Sequence, residues 1–344
     1  MKSTLLLATA ATLALAAASA QAQAPAGYKL VKEVPLGAPE RWDYVVYDAP
    51  SHRVYVAHGD RISVVDAKEG KLIGEVTGVA NTHGVGLSGG KAYTDDGEAG
   101  QVIVFDPKTL KVLKHIPAKD DADAINVEPQ TGHVFVAEGD AKTVTVVDPK
   151  TDQVIANIDA GGKVEYLVPG DDGKVYVNGE EKKEILRIDA KTNTIDARWP
   201  VPGCASPHGL AIDNAGHRLF TTCVNKAMTV VDTTNGAVVA TVPIGQGTDA
   251  AAFDPVRKRA FSSNGDGTLT VVAEKGPNSF AVAETVPTRV TGRTMGIDPA
   301  SGRLFVAAAE IDPKAPVPNG PNGRPGRPKP IPGSLKLMFL DPVR

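Results

Sequence analysis

Seven ionisable residues recur at one register of an internally repeated chain: Asp43, His83, Asp123, Glu165, His208, Asp249 and Arg293. They are 40 to 44 residues apart, too far for a local motif, so they can meet only if the repeats are arranged about an axis. If they meet, two imidazoles and four carboxylates offer the nitrogen and oxygen donors that hold a divalent metal ion. His83, His208, Asp123 and Asp249 are the candidate ligands, because His83 and Asp123, like His208 and Asp249, fall in successive repeats. The same groups can do chemistry. A neutral His takes a proton while a carboxylate or metal polarises a carbonyl, which gives hydrolysis or elimination. The plainer reading is a hydrated rim in which His83, His208 and Arg293 offset the four acids.

The elements that must position this column are short strands. "ISVVDAKEGK", "VIVFDPKTLK", "VTVVDPKTDQ", "ILRIDAKTNT", "MTVVDTTNGA", "LTVVAEKGPN" and "LKLMFLDP" align with Asp66, Asp106, Asp148, Asp189, Asp232, Ala273 and Asp341. The first six are spaced 40, 42, 41, 43 and 41 residues apart. A second strand such as "RVYVAH" or "KVYVNG" precedes each, and a further strand such as "LIGEV" or "VIANI" follows the first six. Four short strands per unit of this length make a propeller blade. The recurring Asp is expected to cap a turn by accepting backbone N–H groups.

Seven units are present, and the seventh stops after "SLKLMFLDP" without an outer strand. "YKLVKEVPL", residues 28–36, precedes the first unit and has the alternation to supply it, closing the ring and removing open sheet edges. The fold class is therefore all-β: a seven-bladed β-propeller closed by its N-terminal strand. Small residues along the inner strands (Gly84, Gly86, Ala124, Gly209, Ala211, Ala250–Ala252 and Gly296) fit sheets that converge near an axis, where large side chains would collide. In such a ring the first strand of each blade begins beside the central channel, which puts Asp43 and its six counterparts at the channel mouth.

The repeats "KVYVNGEEKKEILRIDAKTNTI" and "HVFVAEGDAKTVTVVDPKTDQVI" resemble the YVTN-type β-propeller repeat, and the chain from about residue 28 to 344 resembles the YncE-like secreted propellers. The resemblance implies the fold. It implies no single chemistry, since propellers of this kind include lactonases, lyases and binding modules.

Composition narrows the classes further. The 344 residues carry a formal charge of −3 with no basic block outside one late loop, so a nucleic-acid footprint is not expected. The opening "MKSTLLLATAATLALAAASAQAQAPAG" reads as a signal peptide over residues 1–22, cut after Ala20 or Ala22. Residues 23–344 then form a single propeller domain that is periplasmic or secreted, monomeric, and without a membrane span. In that oxidising setting Cys204 and Cys223, the only two cysteines, are expected to form a disulfide bracing the segment that carries His208. The alternative is that both thiolates join His208 on a soft metal.

Of the remaining histidines, His52, His133 and His217 fall in turns on the far face and His115 in an outer strand, so only His58 is placed to join the ring. The loops between second and third strands, such as "TDDGEAGQ" and "NGEEKKE", lie on the ring's face and read as solvated turns. The corresponding loop of unit 7 is an insertion over residues 310–333 with 8 prolines, expected to stay extended and to serve as a lid or docking arm. The reading is thus a non-catalytic binding or scaffolding protein with a site at the channel mouth for a small polar molecule or a partner protein. A divalent metal ion is the candidate cofactor. The rival reading is a metal-assisted, lactonase-like hydrolase or lyase that uses the same ring.

Overall fold

A computed structural model of the chain describes residues 27–119, 121–276, 278–314 and 329–343. The signal-peptide segment and residues 315–328 of the proline-rich insertion lie outside the described residues. What is described is all β: seven antiparallel four-stranded sheets with no helix, arranged as a seven-bladed propeller.

The inner strands are Val45–Asp48, Val85–Ser88, Ala122–Val127, Leu167–Pro169, Pro207–Asp213, Thr248–Asp254 and Thr294–Ile297. Each pairs with a second strand that is nearly all buried. Val134–Glu138 in blade 3 is buried at every position, because the sheets on either side cover both of its faces. The outer strands expose alternate residues, as Gln153–Asp159 does, which is the period-2 signature of a half-covered sheet.

The N-terminal strand completes the last blade. Tyr28–Pro35 pairs antiparallel with Lys336–Pro342, with Leu30 opposite Leu340 and Val34 opposite Leu337. The N-terminal strand thereby covers the edge left by the last strand, and every blade has four strands.

The repeating Asp residues cap turns. Asp66 Oδ1 accepts the N–H groups of Lys68 and Glu69, and Asp189 Oδ1 accepts those of Lys191 and Thr192. Between blades, the inner-strand glycines permit close approach. A Cβ on Gly84 would lie 3.0 Å from the Ile125 nitrogen, and one on Gly296 would lie 2.6 Å from the Val45 oxygen. Gly209 runs against the Ala250 backbone with no room for a side chain.

The expectation that large side chains are excluded near the axis fails at two positions. The residues immediately following the ring are Tyr44, Gly84, Ala124, Tyr166, Gly209, Ala250 and Thr294. Five are small, and the space they leave is filled by the other two. Tyr44 is 4% exposed and packs with Ala124, Val164 and Leu167, across the channel from its own blade. Its ring meets that of Tyr166 edge-on, with centroids 4.6 Å apart. The two phenol rings thus meet directly after the ring residues of blades 1 and 4 and form a floor beneath the polar ring.

Candidate functional site

Three ring members converge. One ligand atom each from Glu165, His208 and Asp249 lies within 4.8 Å of the others, on three successive blades. His208 Nδ1 is 3.0 Å from Asp249 Oδ1 and 3.5 Å from Glu165 Oε1. On the other side of the ring, Nε2 is 3.7 Å from Glu180 Oε1 and 3.4 Å from Ser206 Oγ, and that hydroxyl donates to Glu180 at 2.6 Å. The backbone beneath is fixed by Asn178, which is fully buried and donates through Nδ2 to the carbonyls of His208 (2.6 Å) and Gly209 (3.2 Å).

The Cys204–Cys223 disulfide, with its Cα atoms 5.3 Å apart, ties the approach to this segment to the end of the second strand. The Val224 N–H then donates to the Ala205 carbonyl at 3.0 Å. Both sulfurs are thereby unavailable as thiolate ligands, which removes the soft-metal alternative.

Arg293 closes the arc from blade 7. It donates through Nε to Asp249 Oδ2 and through a terminal nitrogen to the Trp42 carbonyl (3.1 Å), and it lies 3.9 Å from Asp43 Oδ2. Its guanidinium also sits over the Trp42 ring, 5.4 Å from the centroid.

His83 is placed differently. It is 6% exposed, and its Nδ1 pairs at 2.7 Å with Oδ2 of the fully buried Asp95 of its own blade. Asp95 Oδ1 accepts the backbone N–H groups of His83 (2.8 Å) and Gly84 (3.2 Å). The partner expected for His83, Asp123, does not bond to it. Asp123 instead lies against Gly139, where a Cβ would meet it, and its buried Oδ2 has no hydrogen-bond partner among the described residues. Of the four candidate metal ligands, then, His208 and Asp249 fall in the converging group, while His83 and Asp123 do not. Glu165 takes the third place.

His58 does not join the ring. It is wholly buried, with Nδ1 2.8 Å from Ser63 Oγ and Nε2 2.7 Å from the Pro39 carbonyl, so both nitrogens serve the blade 1 core. A Ser-centred letter pattern, Gly-Leu-Ser-Gly-Gly at 86–90, runs from an inner strand into a turn at the far end of the channel. Ser88 there donates to the Gly132 carbonyl at 2.7 Å, so the pattern is a turn and not a nucleophile elbow.

The electrostatics are those of crowded acids. Burial raises Asp43 to about 6, opposed by Arg293 and reinforced by Asp249. Burial raises Glu165 to about 7, opposed by His208 and reinforced by Asp249 and Glu180. Burial and the nearby Glu165 and Asp121 raise Asp123 to about 9. Burial alone would lower the histidines, but Asp95 lifts His83 to about 9, while Asp249, Glu180 and Glu165 lift His208 to about 10. Glu180 is held down to about 2, chiefly by His208. Lys163, between Asp140 (3.4 Å) and Asp121 and Glu180 (3.9 Å each), extends the network outward.

Sequence reasoning missed Asp95, Glu180, Lys163 and the tyrosine floor. Asp95 lies near the end of the second strand of blade 2 and Glu180 just after that of blade 4, both in stretches that read as solvated turns. A signal for the floor was present, since only two of the seven residues following the ring are large.

Comparison with known proteins adds the fold and little else. A family model described as a domain of unknown function (DUF5074) matches residues 44–212. No curated protein matches the chain. Among solved structures, the chain is similar to the hydrazine synthase of Kuenenia stuttgartiensis, with a TM-score of 0.67 and 14% identity over 76% of this chain and 91% of that one. At that identity the likeness concerns the propeller fold alone.

Proposed function

We propose that the protein is a secreted, monomeric, non-catalytic binding propeller whose channel mouth holds a divalent cation on Glu165, His208 and Asp249. The observation that carries this reading is the placement of His208 Nδ1 within 3.5 Å of carboxylates from the blades on either side. In the metal-free protein a proton on Nδ1 occupies the position between those carboxylates. A metal ion takes that position by displacing the proton, and the donor set of one imidazole and two carboxylates suits zinc or manganese.

Glu180 supports the same assignment from behind. A carboxylate beside the non-ligating nitrogen of a histidine orients the ring and raises its basicity, an arrangement common around metal-bound histidine. The excess of carboxylates over cations in the pocket supplies the charge that a dication offsets.

The YncE-like resemblance and the leader-like N-terminus support secretion. Cell fractionation with N-terminal sequencing tests that part: a mature chain beginning after Ala20 or Ala22 in the periplasm or medium is expected, and a chain retaining Met1 in the cytoplasm contradicts it. Calorimetric titration of metal-free protein with zinc and with manganese tests the site. One equivalent should bind wild type, with affinity down at least about tenfold in His208→Ala, a loss of about 1.4 kcal/mol. Equal binding by both proteins contradicts the assignment.

A second reading, a metal-assisted hydrolase or lyase, draws on the ligand count. Three protein ligands leave a coordination position open for water or substrate, as in catalytic rather than structural zinc sites. Metal-dependent turnover of lactone or ester substrates that disappears in His208→Ala would favour it over the binding role.

A further inference from the structure

We propose that the channel mouth contains a second binding position on blade 2, where His83, held by Asp95, donates from Nε2 to an oxygen of a small oxyanion that the cation also binds. This deepens the cation reading above and rests on it.

The imidazole is committed on one side only. Nδ1 is engaged by Asp95 Oδ2 at 2.7 Å, and Asp95 Oδ1 is occupied by two backbone N–H groups, so the pair cannot rotate without breaking three hydrogen bonds. Nε2 has no protein partner among the described residues, although the residue is only 6% exposed. Nε2 itself reaches solvent, so a ligand oxygen can take the place of water on it. His58 contrasts with it, since both of its nitrogens have protein partners.

The charges around His83 define the ligand. Asp95, Asp43 of blade 1 and Asp123 of blade 3 are the carboxylates whose charges act on the imidazole. The same carboxylates hold the ring as imidazolium, a donor at both nitrogens, near neutral pH. Without a metal, ionised Asp43 repels an anion, whereas Asp123, raised to about 9, is protonated near neutral pH. A dication on Glu165, His208 and Asp249 reverses that field and offers an open coordination position towards the centre of the pocket. The ligand is therefore a carboxylate or comparable oxyanion that enters with the cation, one oxygen on the metal and another on His83. The Tyr44–Tyr166 contact beneath the ring occupies space near the axis and favours a small ligand.

The experiment uses zinc-loaded full-length protein and oxalate as the probe. Zinc content is measured independently before and after titration, and wild type is compared with His83→Gln and Asp95→Asn. The expected result is oxalate binding to zinc-loaded wild type, at least about tenfold weaker in both variants, with zinc affinity unchanged within about twofold. A readout that a structural role would not move accompanies it: the Nε2 nitrogen resonance of His83 in wild type shifts on adding oxalate to the zinc form. If the variants fail to fold, that resonance decides alone. Zinc bound with no oxalate binding, an unmoved His83 signal, or equal oxalate affinity in the variants overturns this inference and leaves the cation site standing. No zinc in wild type overturns the cation reading, and this one with it.

Discussion

Tyr44 and Tyr166 touch edge to face with ring centroids 4.6 Å apart, although they stand at the inner edges of blades 1 and 4. That contact places two phenol rings directly beneath the polar ring. It also makes the floor part of the fold, because Tyr44 packs with Ala124, Val164 and Leu167 of other blades.

Removing the floor should therefore cost stability as well as shape. Tyr44→Ala is expected to destabilise the protein by about 3–5 kcal/mol, the range for deleting a large buried aromatic. Tyr44→Phe keeps the ring contact and should stay within about 1.5 kcal/mol of wild type. Urea unfolding of the three proteins checks both values.

The blades were legible in the sequence because their signal is repeated: a nearly constant period, strands of alternating character and an Asp at the turn in six of the seven units. Closure by Tyr28–Leu36 was legible because the last unit visibly lacked a strand. The ring column was also readable, since residues at one register of a closed repeat must face one axis. What the sequence hid was side-chain direction beyond that register. His83 turns back to Asp95 within its own blade, whereas His208 reaches across to Asp249 on the next. The two histidines occupy the same register, but the equivalent second-strand residue differs: Asp95 takes the Gly84 N–H and also the His83 imidazole, whereas Thr222 takes only the Gly209 N–H. Asp95 lay in a stretch, "TDDGEAGQ", whose composition is that of a solvated turn, yet it is fully buried.

Stability should depend on pH in a direction set by the raised groups. His83 and His208 are lifted from 6.5 to about 9 and 10, so the stability they contribute is complete below about pH 6.5 and is lost as pH rises through 9 to 10. Asp43, Glu165 and Asp123 act in the same direction: the unfolded chain releases their protons near pH 4 and the folded chain at about 6, 7 and 9. Glu180, lowered to about 2, opposes them only below about pH 4.5. Metal-free protein should accordingly show a melting temperature that falls steadily from pH 5 to pH 10. Saturating zinc should flatten or invert that slope, because ligation needs the deprotonated forms. Thermal melts with chelator and with zinc decide the matter; a metal-free Tm that rises over this range contradicts the electrostatic account.

The disulfide should matter both globally and locally. Replacing Cys204 and Cys223 together with alanine, which opens a loop of 19 residues, is expected to cost about 2–4 kcal/mol in denaturant unfolding. Because the bridge anchors the segment leading into Ser206 and His208, the same variant should also bind zinc more weakly at a temperature where it remains folded. Unchanged affinity would confine the bridge to a stabilising role.

Closure of the ring makes its own prediction. Deleting residues 28–35 leaves Lys336–Pro342 as an exposed strand edge with apolar neighbours. The truncated protein should self-associate more than wild type in sedimentation experiments, and adding the peptide YKLVKEVP should suppress that association. A monomeric, equally stable truncated protein would show that blade 7 does not need its borrowed strand.

The central claim is the position of a cation, and an anomalous difference map from crystals soaked in zinc tests it most directly. The account predicts one strong peak at the channel mouth, about 2.0–2.2 Å from His208 Nδ1 and from carboxylate oxygens of Glu165 and Asp249. A peak elsewhere, or a mouth without one while zinc is in excess, would contradict it.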